Sequence, residues 1–229
     1  MDRGESNVLK EVIIDIYRGE ILEMVDEYGS GKSMFAAVLL DAVVEQGTFT
    51  GDITYYPPGG GPIDLLSLSD LALWQVRWEE ILMIFQGAMS AFNPTLSIGG
   101  RFEETLDAHD CNIAEGMARA RELFGDLFCS RNRYSSRFLT NSRADQKQRV
   151  LIALNLILDS EVLVMDEPTG TLGLLMQRSI LNLLYEVKDE HDLTIVFISH
   201  DLPTIPGFAS RIAMMYAFEF VEVVPLKRC

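Results

Sequence analysis

The sequence predicts an α/β fold in which a mainly parallel β-sheet is covered by helices. Short apolar runs bounded by turn residues alternate along the chain with longer helical patterns. Strands and helices in alternation are typical of a parallel sheet. Hydrophobic residues make up 48% of 229 residues, which is the composition of a globular chain with a substantial core. Between residues 87 and 140 the strand pattern disappears, which indicates a helical block inserted into the sheet-based core.

The individual elements follow from the period of the apolar residues. We predict strands at residues 12–16, 21–25, 53–56, 81–85, 162–165 and 194–198. We predict helices at residues 32–44, 114–127, 145–158 and 174–187. The Gly/Pro-rich residues 57–62 are expected to form a loop in a surface hairpin. The predicted domains are an α/β core of residues 1–86 and 141–229, with residues 87–140 as the helical subdomain.

The charge balance is strongly acidic, with 19 basic and 34 acidic residues and a net charge of −15. Only five of the basic residues are Lys, against fourteen Arg. This balance argues against non-specific binding of nucleic acid, which needs a basic surface. It suits a high-salt cytoplasm, where salt screens the self-repulsion, although an ordinary acidic cytosolic protein would have the same sign of charge.

The sequence has no clear signal for secretion, for membrane insertion or for cysteine chemistry. The first residues do not have the layout of a signal peptide, and no apolar run reaches the roughly 18 residues of a membrane span. We therefore expect a cytoplasmic protein that a partner would hold at any membrane. Cys111, Cys129 and Cys229 have no metal-ligand or redox spacing, so we expect reduced cysteines.

A phosphate-binding loop is predicted where the strand of residues 21–25 leads into a helix. Gly29, Ser30, Gly31, Lys32 and Ser33 give the Gly-Ser-Gly-Lys-Ser turn at this point. Glycines there expose backbone N–H groups, and a helix N-terminus favours an anion. Lys32 would reach the outer phosphates and Ser33 would ligate Mg²⁺. The alternative is an ordinary helix cap.

The full pattern is G-x-x-x-x-G-K-[ST]. At its first position, where the pattern has glycine, this chain has Asp26.

Two further strands end in residues suited to phosphate chemistry. The strand of residues 162–165 runs into Asp166 and Glu167, which can hold Mg²⁺ and polarise an attacking water. The strand of residues 194–198 is followed by Ser199 and His200. The acids could instead cap the next helix, and the histidine could be structural. All three motifs, however, follow the rule that ligands bind at the carboxyl ends of strands in open α/β sheets.

The sequence resembles the ATP-binding subunits of ABC transporters from about residue 7 to residue 222, and it is most similar to the branch of dipeptide and oligopeptide importers. Besides the motifs above, the resemblance is carried by residues 8–12, 17–20, 83–86, 93–94, 147–150, 198–202 and 215–217. It implies a P-loop NTPase core with an inserted helical subdomain, which is the architecture of ABC ATPases. It also implies that ATP and Mg²⁺ are the cofactors.

The resemblance implies a role for each matching residue. Residues 29–33 and Met34 match the phosphate loop and the helix it opens, with Ser33 on the metal. Gln86 matches the glutamine that senses both Mg²⁺ and the transmembrane partner. Asp166 matches the acid on the Mg²⁺ side, Glu167 the catalytic base and His200 the switch histidine. Glu167, His200 and Gln86 are therefore the predicted catalytic residues, and Ser33, Gln86 and Asp166 the predicted metal ligands.

Several positions depart from the pattern of this family. Where the family has the LSGGQ signature, this chain has Ser142-Arg143-Ala144-Asp145-Gln146, so only the glutamine is kept. Leu172-Gly173 stands where the family has Leu-Asp, so the aspartate that bridges the dimer is missing. The family's first strand, its adenine-stacking aromatic residue and the importers' carboxyl-terminal extension are not matched within this sequence.

Three functional hypotheses remain open from the sequence. The first is an active ATPase subunit that couples hydrolysis to import of a peptide or similar small solute. The second is a non-catalytic nucleotide-binding or scaffolding subunit of a heterodimeric transporter, and the third, weaker one is an ABC-type ATPase acting on DNA. The first two imply permease subunits and a second ATP-binding subunit as partners, at the cytoplasmic face of the membrane. They also imply a docking surface for a membrane partner near Phe92, Asn93 and Pro94.

Overall fold

The computed structural model describes residues 9–26, 31–40, 50–85, 87–88, 96–128, 144–169, 173–199 and 207–226. In chain order its strands β1 to β8 are Ile21–Asp26, Thr54–Tyr55, Ile63–Asp64, Ile81–Ile84, Val162–Asp166, Thr194–Ser199, Arg211–Tyr216 and Glu219–Pro225. Helices α1 to α6 are Lys32–Leu39, Asp70–Glu79, Ile98–Ala108, Ile113–Phe128, Ala144–Leu156 and Leu174–His191, and a short 3₁₀ turn covers Leu65–Ser67.

Six strands form the central sheet in the order β4-β5-β6-β1-β7-β8. All neighbours pair in parallel except β8, which runs antiparallel to β7. The mainly parallel sheet predicted from the alternation of elements is therefore confirmed. The strands β2 and β3 form a separate antiparallel hairpin around residues 57–62, as the Gly/Pro cluster predicted.

Side chains alternate between the two faces of the sheet, because successive residues of a strand point to opposite sides. In β1, Ile21 and Val25 lie in one core cluster, while Leu22 and Met24 lie in the other. The first cluster also takes residues from α3 to α6, and the second takes residues from α1, α2 and the hairpin. The sheet is thus a middle layer covered on both faces, which explains why its strands are apolar throughout.

Most predicted elements are present at nearly the predicted positions. The strands predicted at 21–25, 81–85, 162–165 and 194–198 correspond to β1, β4, β5 and β6, and the one at 53–56 is the shorter β2. The helices at 114–127, 145–158 and 174–187 are confirmed as α4, α5 and α6. The helix predicted at 32–44 ends at Leu39 with Leu40 as its cap, and residues 41–44 lie outside the described part.

The strand predicted at residues 12–16 is wrong, because this segment pairs with no strand in the described chain. Val12, Ile14 and Ile16 pack against the sheet core, whereas Ile13 is 88% exposed. The alternation therefore reports an extended segment lying across the face of the sheet. Alternation of apolar and polar residues shows only that every second side chain is buried. A β-strand also needs a neighbouring backbone with which to form hydrogen bonds, and this segment has none in the described chain.

Two helices, α3 and α4, occupy the described part of the predicted helical block. They pack on each other through Phe102 and Phe124, whose ring centroids are 5.1 Å apart, and both also contact α5. Ser97 caps α3 by accepting a hydrogen bond from the N–H of Gly100 at 3.0 Å, and Asn112 accepts one from the N–H of Ala114 at 3.0 Å before α4. The boundaries at residues 87 and 140 stay a prediction.

The contact between α3 and α4 is closest at Gly116. A Cβ added to Gly116 would overlap the side chain of Leu106, which is 1% exposed. Inside a helix, alanine normally stabilises relative to glycine by about 1 kcal/mol. We predict the opposite sign here: Gly116→Ala should lower the free energy of unfolding by about 1–3 kcal/mol, because a packed neighbour must move. Urea unfolding measures this, with the exposed Glu115→Ala of the same helix as the control. A stabilised Gly116→Ala variant would contradict the close packing.

The carboxylate of Glu23 lies in the middle of strand β1, within the apolar sheet. Glu23 is 1% exposed, and its Oε1 accepts a hydrogen bond from the Ser199 hydroxyl at 3.3 Å. Among the described residues, its Oε2 has no hydrogen-bond partner. Burial raises the pKa of Glu23 from its ordinary value near 4.5 to about 7, and the bond from Ser199 opposes that rise. The folded chain therefore holds the proton of this group more tightly than the unfolded chain does.

This raised pKa predicts a pH-dependent loss of stability. The stabilisation from the bound proton is full below the unfolded pKa near 4.5 and is lost as the pH rises through the folded value of about 7. A shift of this size corresponds to roughly 3 kcal/mol. Relative to Glu23→Gln, the wild-type chain should therefore lose roughly that free energy of unfolding between pH 4.5 and pH 8. Denaturant unfolding across this range checks it, with exposed Glu222→Gln as the charge control. A pH-independent difference would contradict the prediction.

Candidate functional site

The carboxyl ends of three neighbouring strands define one edge of the sheet. The strand β6 lies between β5 and β1, and all three run in the same direction. Val25 pairs with Ser199, and Ile198 pairs with Asp166, so the ends of the three strands are level. The ligand sites of open α/β sheets lie outside this edge. The structure therefore brings together the strand ends from which all three sequence motifs start.

The helix α1 begins at this edge after the predicted phosphate loop. Gly31 precedes it with φ 106°, a left-handed conformation that glycine adopts without the steric cost of a Cβ. The carbonyl of Gly31 accepts the first helical hydrogen bond, from the N–H of Phe35 at 2.8 Å. No side chain caps this helix end. The first turn of a helix directs backbone N–H groups and the positive end of the macrodipole outward, an arrangement that suits a phosphate.

Three predicted ligands of a nucleotide lie in this first turn. Lys32 is 4% exposed, so its charge is held in a largely water-excluded position. Ser33 is exposed and Met34 is half-buried. A lysine ammonium and a serine hydroxyl on consecutive residues can reach a phosphate and a metal ion from the same helix end.

The acidic pair ends β5, two strands away from β1. Asp166 is 5% exposed, and its Oδ1 makes no hydrogen bond with the residues that the structure describes. A buried carboxylate oxygen without a partner costs free energy unless a cation or donor satisfies it. Its chemistry fits Mg²⁺, which prefers oxygen ligands and is usually held by one or two carboxylates together with phosphates and water.

Glu167 follows with an unusual backbone. Its φ is 49°, in the left-handed region that costs a non-glycine residue about 1–2 kcal/mol. Its N–H donates to the carbonyl of Ile198 at 3.1 Å, which extends the pairing of β5 with β6 by one residue. Strain of this kind persists where surrounding contacts hold it, and it is concentrated at functional sites.

A polar contact behind the acidic pair was not found from the sequence. The side-chain Nε2 of Gln177 donates to the carbonyl of Thr169 at 3.1 Å, so α6 holds the segment that follows Glu167. Arg149 of α5 donates to the hydroxyl of Ser179 at 2.7 Å and joins the two helices at the same level. Helical periodicity could have predicted that Gln177 faces the core. It precedes the buried Ile180 and Leu181 by three and four residues, which places it on the same face of α6.

Four predicted site residues, Gly29, Ser30, Gln86 and His200, lie outside the described residues. The strand β6 ends at Ser199, directly before His200, and β4 ends at Ile84, two residues before Gln86. Of the positions in place of the signature, Ala144 and Asp145 begin α5, and residues 142–143 are outside the described part.

The described site residues therefore fit ATP and Mg²⁺. Gly31, Lys32 and Ser33 supply a helix end, an ammonium and a hydroxyl, and Asp166 supplies a carboxylate oxygen without a partner. The described residues contain no group of three His, Cys, Asp or Glu side chains that could hold a metal unaided. A magnesium ion held mainly by substrate phosphates does not require such a group. As for membrane insertion, none of the described helices combines the length and apolar character needed to cross a bilayer.

Comparison with known proteins agrees with the arrangement of this edge. A family described as "ABC transporter" matches residues 9–170. A dipeptide transport ATP-binding protein of Lactococcus lactis subsp. cremoris is 33% identical over 227 residues, which are 96% of this chain and 62% of that protein. An oligopeptide transport ATP-binding protein of Bacillus subtilis is 33% identical over 226 residues, or 96% of this chain and 61% of that protein. The chain thus spans just over three fifths of the length of these two relatives.

The fold has a solved counterpart. A dimeric bacterial ABC transporter cassette superposes with a TM-score of 0.79 at 24% identity, covering 100% of this chain and 95% of that chain. The shared architecture is a mainly parallel sheet with helices. This likeness shows the fold, and the family match over residues 9–170 confirms the resemblance that the motifs indicated. The chain belongs to the ATP-binding proteins of the ABC transporter family.

Proposed function

We propose that this chain is the ATP-binding subunit of an ABC importer, and that it couples binding and hydrolysis of ATP to uptake of a peptide or similar small solute. The observation that carries the proposal is the level ending of β1, β6 and β5. Because of it, the helix end with Lys32 and the acidic pair Asp166-Glu167 share one edge of the sheet. The peptide-type solute rests on the names of the two transport relatives, which are one third identical to this chain.

Each residue has a distinct task in this proposal. Residues 29–33 surround the phosphates, Lys32 neutralises their charge, and Ser33, Gln86 and Asp166 hold Mg²⁺. The metal ion, when bound, neutralises charge on the phosphates during transfer. Glu167 orients the attacking water and takes its proton while the bond between the γ-phosphorus and the ADP oxygen breaks. His200 contacts the γ-phosphate. The low exposure of Lys32 and Asp166 supports this assignment, because charge interactions strengthen when water is excluded.

The proposed partners are permease subunits and a second ATP-binding subunit, with this chain held at the cytoplasmic face of the membrane. The docking surface expected near Phe92, Asn93 and Pro94 lies outside the described residues. We propose a heterodimer because this chain lacks the signature. Arg143 and Asp145 put bulk and charge where small residues would let backbone N–H groups approach the partner's γ-phosphate. A homodimer would carry this defect at both sites, and a heterodimer at only one.

A second candidate function is a non-catalytic nucleotide-binding or scaffolding subunit. It is favoured by the missing signature and by Asp26, which ends β1 where the phosphate-loop pattern has glycine. The first function is favoured by the presence of both Glu167 and His200. The two candidates differ in which subunit's acid carries out hydrolysis.

The first test separates nucleotide binding from hydrolysis. We expect Lys32→Ala to weaken Mg²⁺-ATP binding at least tenfold, because a charge-assisted hydrogen bond contributes about 1.5–3 kcal/mol. Glu167→Gln should leave binding within about threefold, and in the assembled complex it should lower hydrolysis by roughly 10²-fold or more, as loss of a general base does. Calorimetric titration and phosphate release measure the two effects, with exposed Lys10→Ala as the control for loss of a lysine.

The same experiment decides between the two candidate functions. The equivalent acid of the partner subunit is changed to glutamine in a parallel complex. If only the partner's change abolishes turnover, this chain is a scaffold. If Lys32→Ala binds ATP as tightly as the wild-type chain does, the nucleotide site itself is wrongly assigned.

Asp26 provides a further prediction. A carboxylate about 6 Å from a phosphate charge repels it by roughly 3 kcal/mol at an effective dielectric near 20. We therefore expect Asp26→Gly to tighten ATP binding at least roughly tenfold at low salt, with a smaller gain at high salt. ATP titrations at two ionic strengths measure this, and Asp26→Asn separates the effect of charge from that of the glycine backbone. An unchanged dissociation constant would mean that the carboxylate is directed away from the phosphates.

A further inference from the structure

A side-chain contact joins the two strands that carry the phosphate loop and the switch histidine. The hydroxyl of Ser199, the last residue of β6, donates to Oε1 of Glu23 at 3.3 Å. Glu23 pairs through its backbone with Phe197, so its side chain reaches two residues along β6 to the end of that strand. The two residues are 1% and 9% exposed. The contact therefore lies inside the sheet, directly below the candidate site.

Among the described residues, no positively charged group balances the charge that Glu23 would carry when ionised. The strand β6 is uncharged from Thr194 to Ser199. On β7 the charged residue is Arg211, whose guanidinium donates to Glu20 at 3.0 Å and to the carbonyl of Asp15. The other buried charges in the described chain are those of Glu20, Lys32 and Asp166. Lys32 belongs to α1, which packs on the opposite face of the sheet, and Asp166 lies on β5, beyond β6.

The helices on the same face as Glu23 do not compensate its charge either. Val25 and Ile21 share this face with Glu23, and the core cluster that covers it takes apolar side chains from α5 and α6. Oε2 of Glu23 has no hydrogen-bond partner in the described part of the chain, so an ionised carboxylate would bury charge on an oxygen that none of these residues satisfies. The neutral acid avoids this cost and still accepts the bond from Ser199 through Oε1.

We propose that Glu23 is a positioning residue of the nucleotide site: as a neutral carboxylic acid it fastens the end of β6 to β1, and its ionisation loosens that end. An ionised Glu23 gains hydration only if water enters at the carboxyl edge between these strands. The residue that follows Ser199 is His200, so the opening occurs at the base of the switch histidine. The last link, from this opening to ATP hydrolysis, rests on the proposed function.

The size of the effect follows from the pKa of Glu23, which burial raises to about 7. Between the ordinary pKa near 4.5 and that value, an opened state in which the carboxylate is hydrated gains population relative to the closed state by up to about tenfold per pH unit, and above pH 7 the gain levels off. Below pH 4.5 the carboxylic acid is neutral in both states and the strand end stays closed. The site is therefore held in place in acid and loosened at neutral and alkaline pH.

Backbone hydrogen exchange of the intact chain without nucleotide tests the positioning directly. The exchange rates of the amides of Phe197, Ile198 and Ser199 are compared between the wild-type chain and Glu23→Gln at pH 4 and pH 8.5. Because each comparison is made at one pH, the intrinsic pH dependence of exchange cancels. We expect a ratio near one at pH 4, below the ordinary pKa of the carboxyl, and a ratio of at least roughly ten at pH 8.5, with faster exchange in the wild-type chain. Exposed Glu222→Gln, the matched loss of one charge, should exchange as the wild-type chain does at both pH values.

Ser199→Ala provides the second variant, because it removes the hydroxyl and keeps the carboxylate. It should speed exchange of Phe197 and Ile198 severalfold even at pH 4, where Glu23 is neutral. The inference is overturned if Glu23→Gln matches the wild-type chain at both pH values, or if Ser199→Ala leaves exchange unchanged.

Hydrolysis in the assembled complex separates this inference from the proposed function. We expect the wild-type kcat to fall relative to that of Glu23→Gln as the pH rises from about 5 to about 7, with little change in KM. If hydrogen exchange behaves as expected while the complex shows no hydrolysis, the proposed function fails and the positioning role stands. Hydrolysis together with a pH-independent exchange ratio would overturn the positioning role alone.

Discussion

The parallel pairing of β1 with β6 and of β6 with β5 is the constraint on which the rest of the structure depends, because it levels three strand ends that are far apart in the sequence. Asp26 and Asp166 are separated by 140 residues, yet their strands end on either side of Ser199. Backbone hydrogen bonds set this register, and an apolar layer on each face supports it. A shift of one residue would turn every side chain to the other face, so burial on both faces leaves the register little freedom.

The site on this edge contains features that are unfavourable for folding alone. Glu167 has a left-handed backbone, Asp166 has a buried oxygen without a partner in the described chain, and Lys32 is a buried cation. Such features persist where the surrounding structure holds them, and here the sheet and the two flanking helices provide that support. Glu23 belongs to the same class, but it lies one layer deeper, inside the sheet. Its carboxylate connects the protonation state of the core to the strand end below the site.

The elements that were predicted and those that were missed differ in how their side chains are covered. The buried strands β1, β4, β5 and β6 are mostly apolar runs, and α4 to α6 are long helices of 16, 13 and 18 residues, so both were recognisable. The helix α3 was missed because its Gly99-Gly100 pair lowers its helix propensity, although Ile98, Phe102 and Leu106 form a buried stripe. The edge strand β8 has five exposed residues out of seven, so it has only a weak apolar pattern. At residues 12–16 the opposite error arose, because alternating burial was interpreted as a strand in a segment without a backbone neighbour.

The sequence by itself determined the fold class, the motifs of the nucleotide site and the family, because these depend on local patterns: apolar periodicity, the Gly-Ser-Gly-Lys-Ser turn and the acids that end an apolar strand. Only the tertiary structure decided which strands are neighbours and which polar groups meet. The contacts of Gln177 with Thr169 and of Glu23 with Ser199 join residues 8 and 176 positions apart. The second contact exists because non-local pairing places β1 beside β6. The raised pKa of Glu23 has the same origin, since a carboxylate becomes buried only when the layers on both sides of the sheet are assembled.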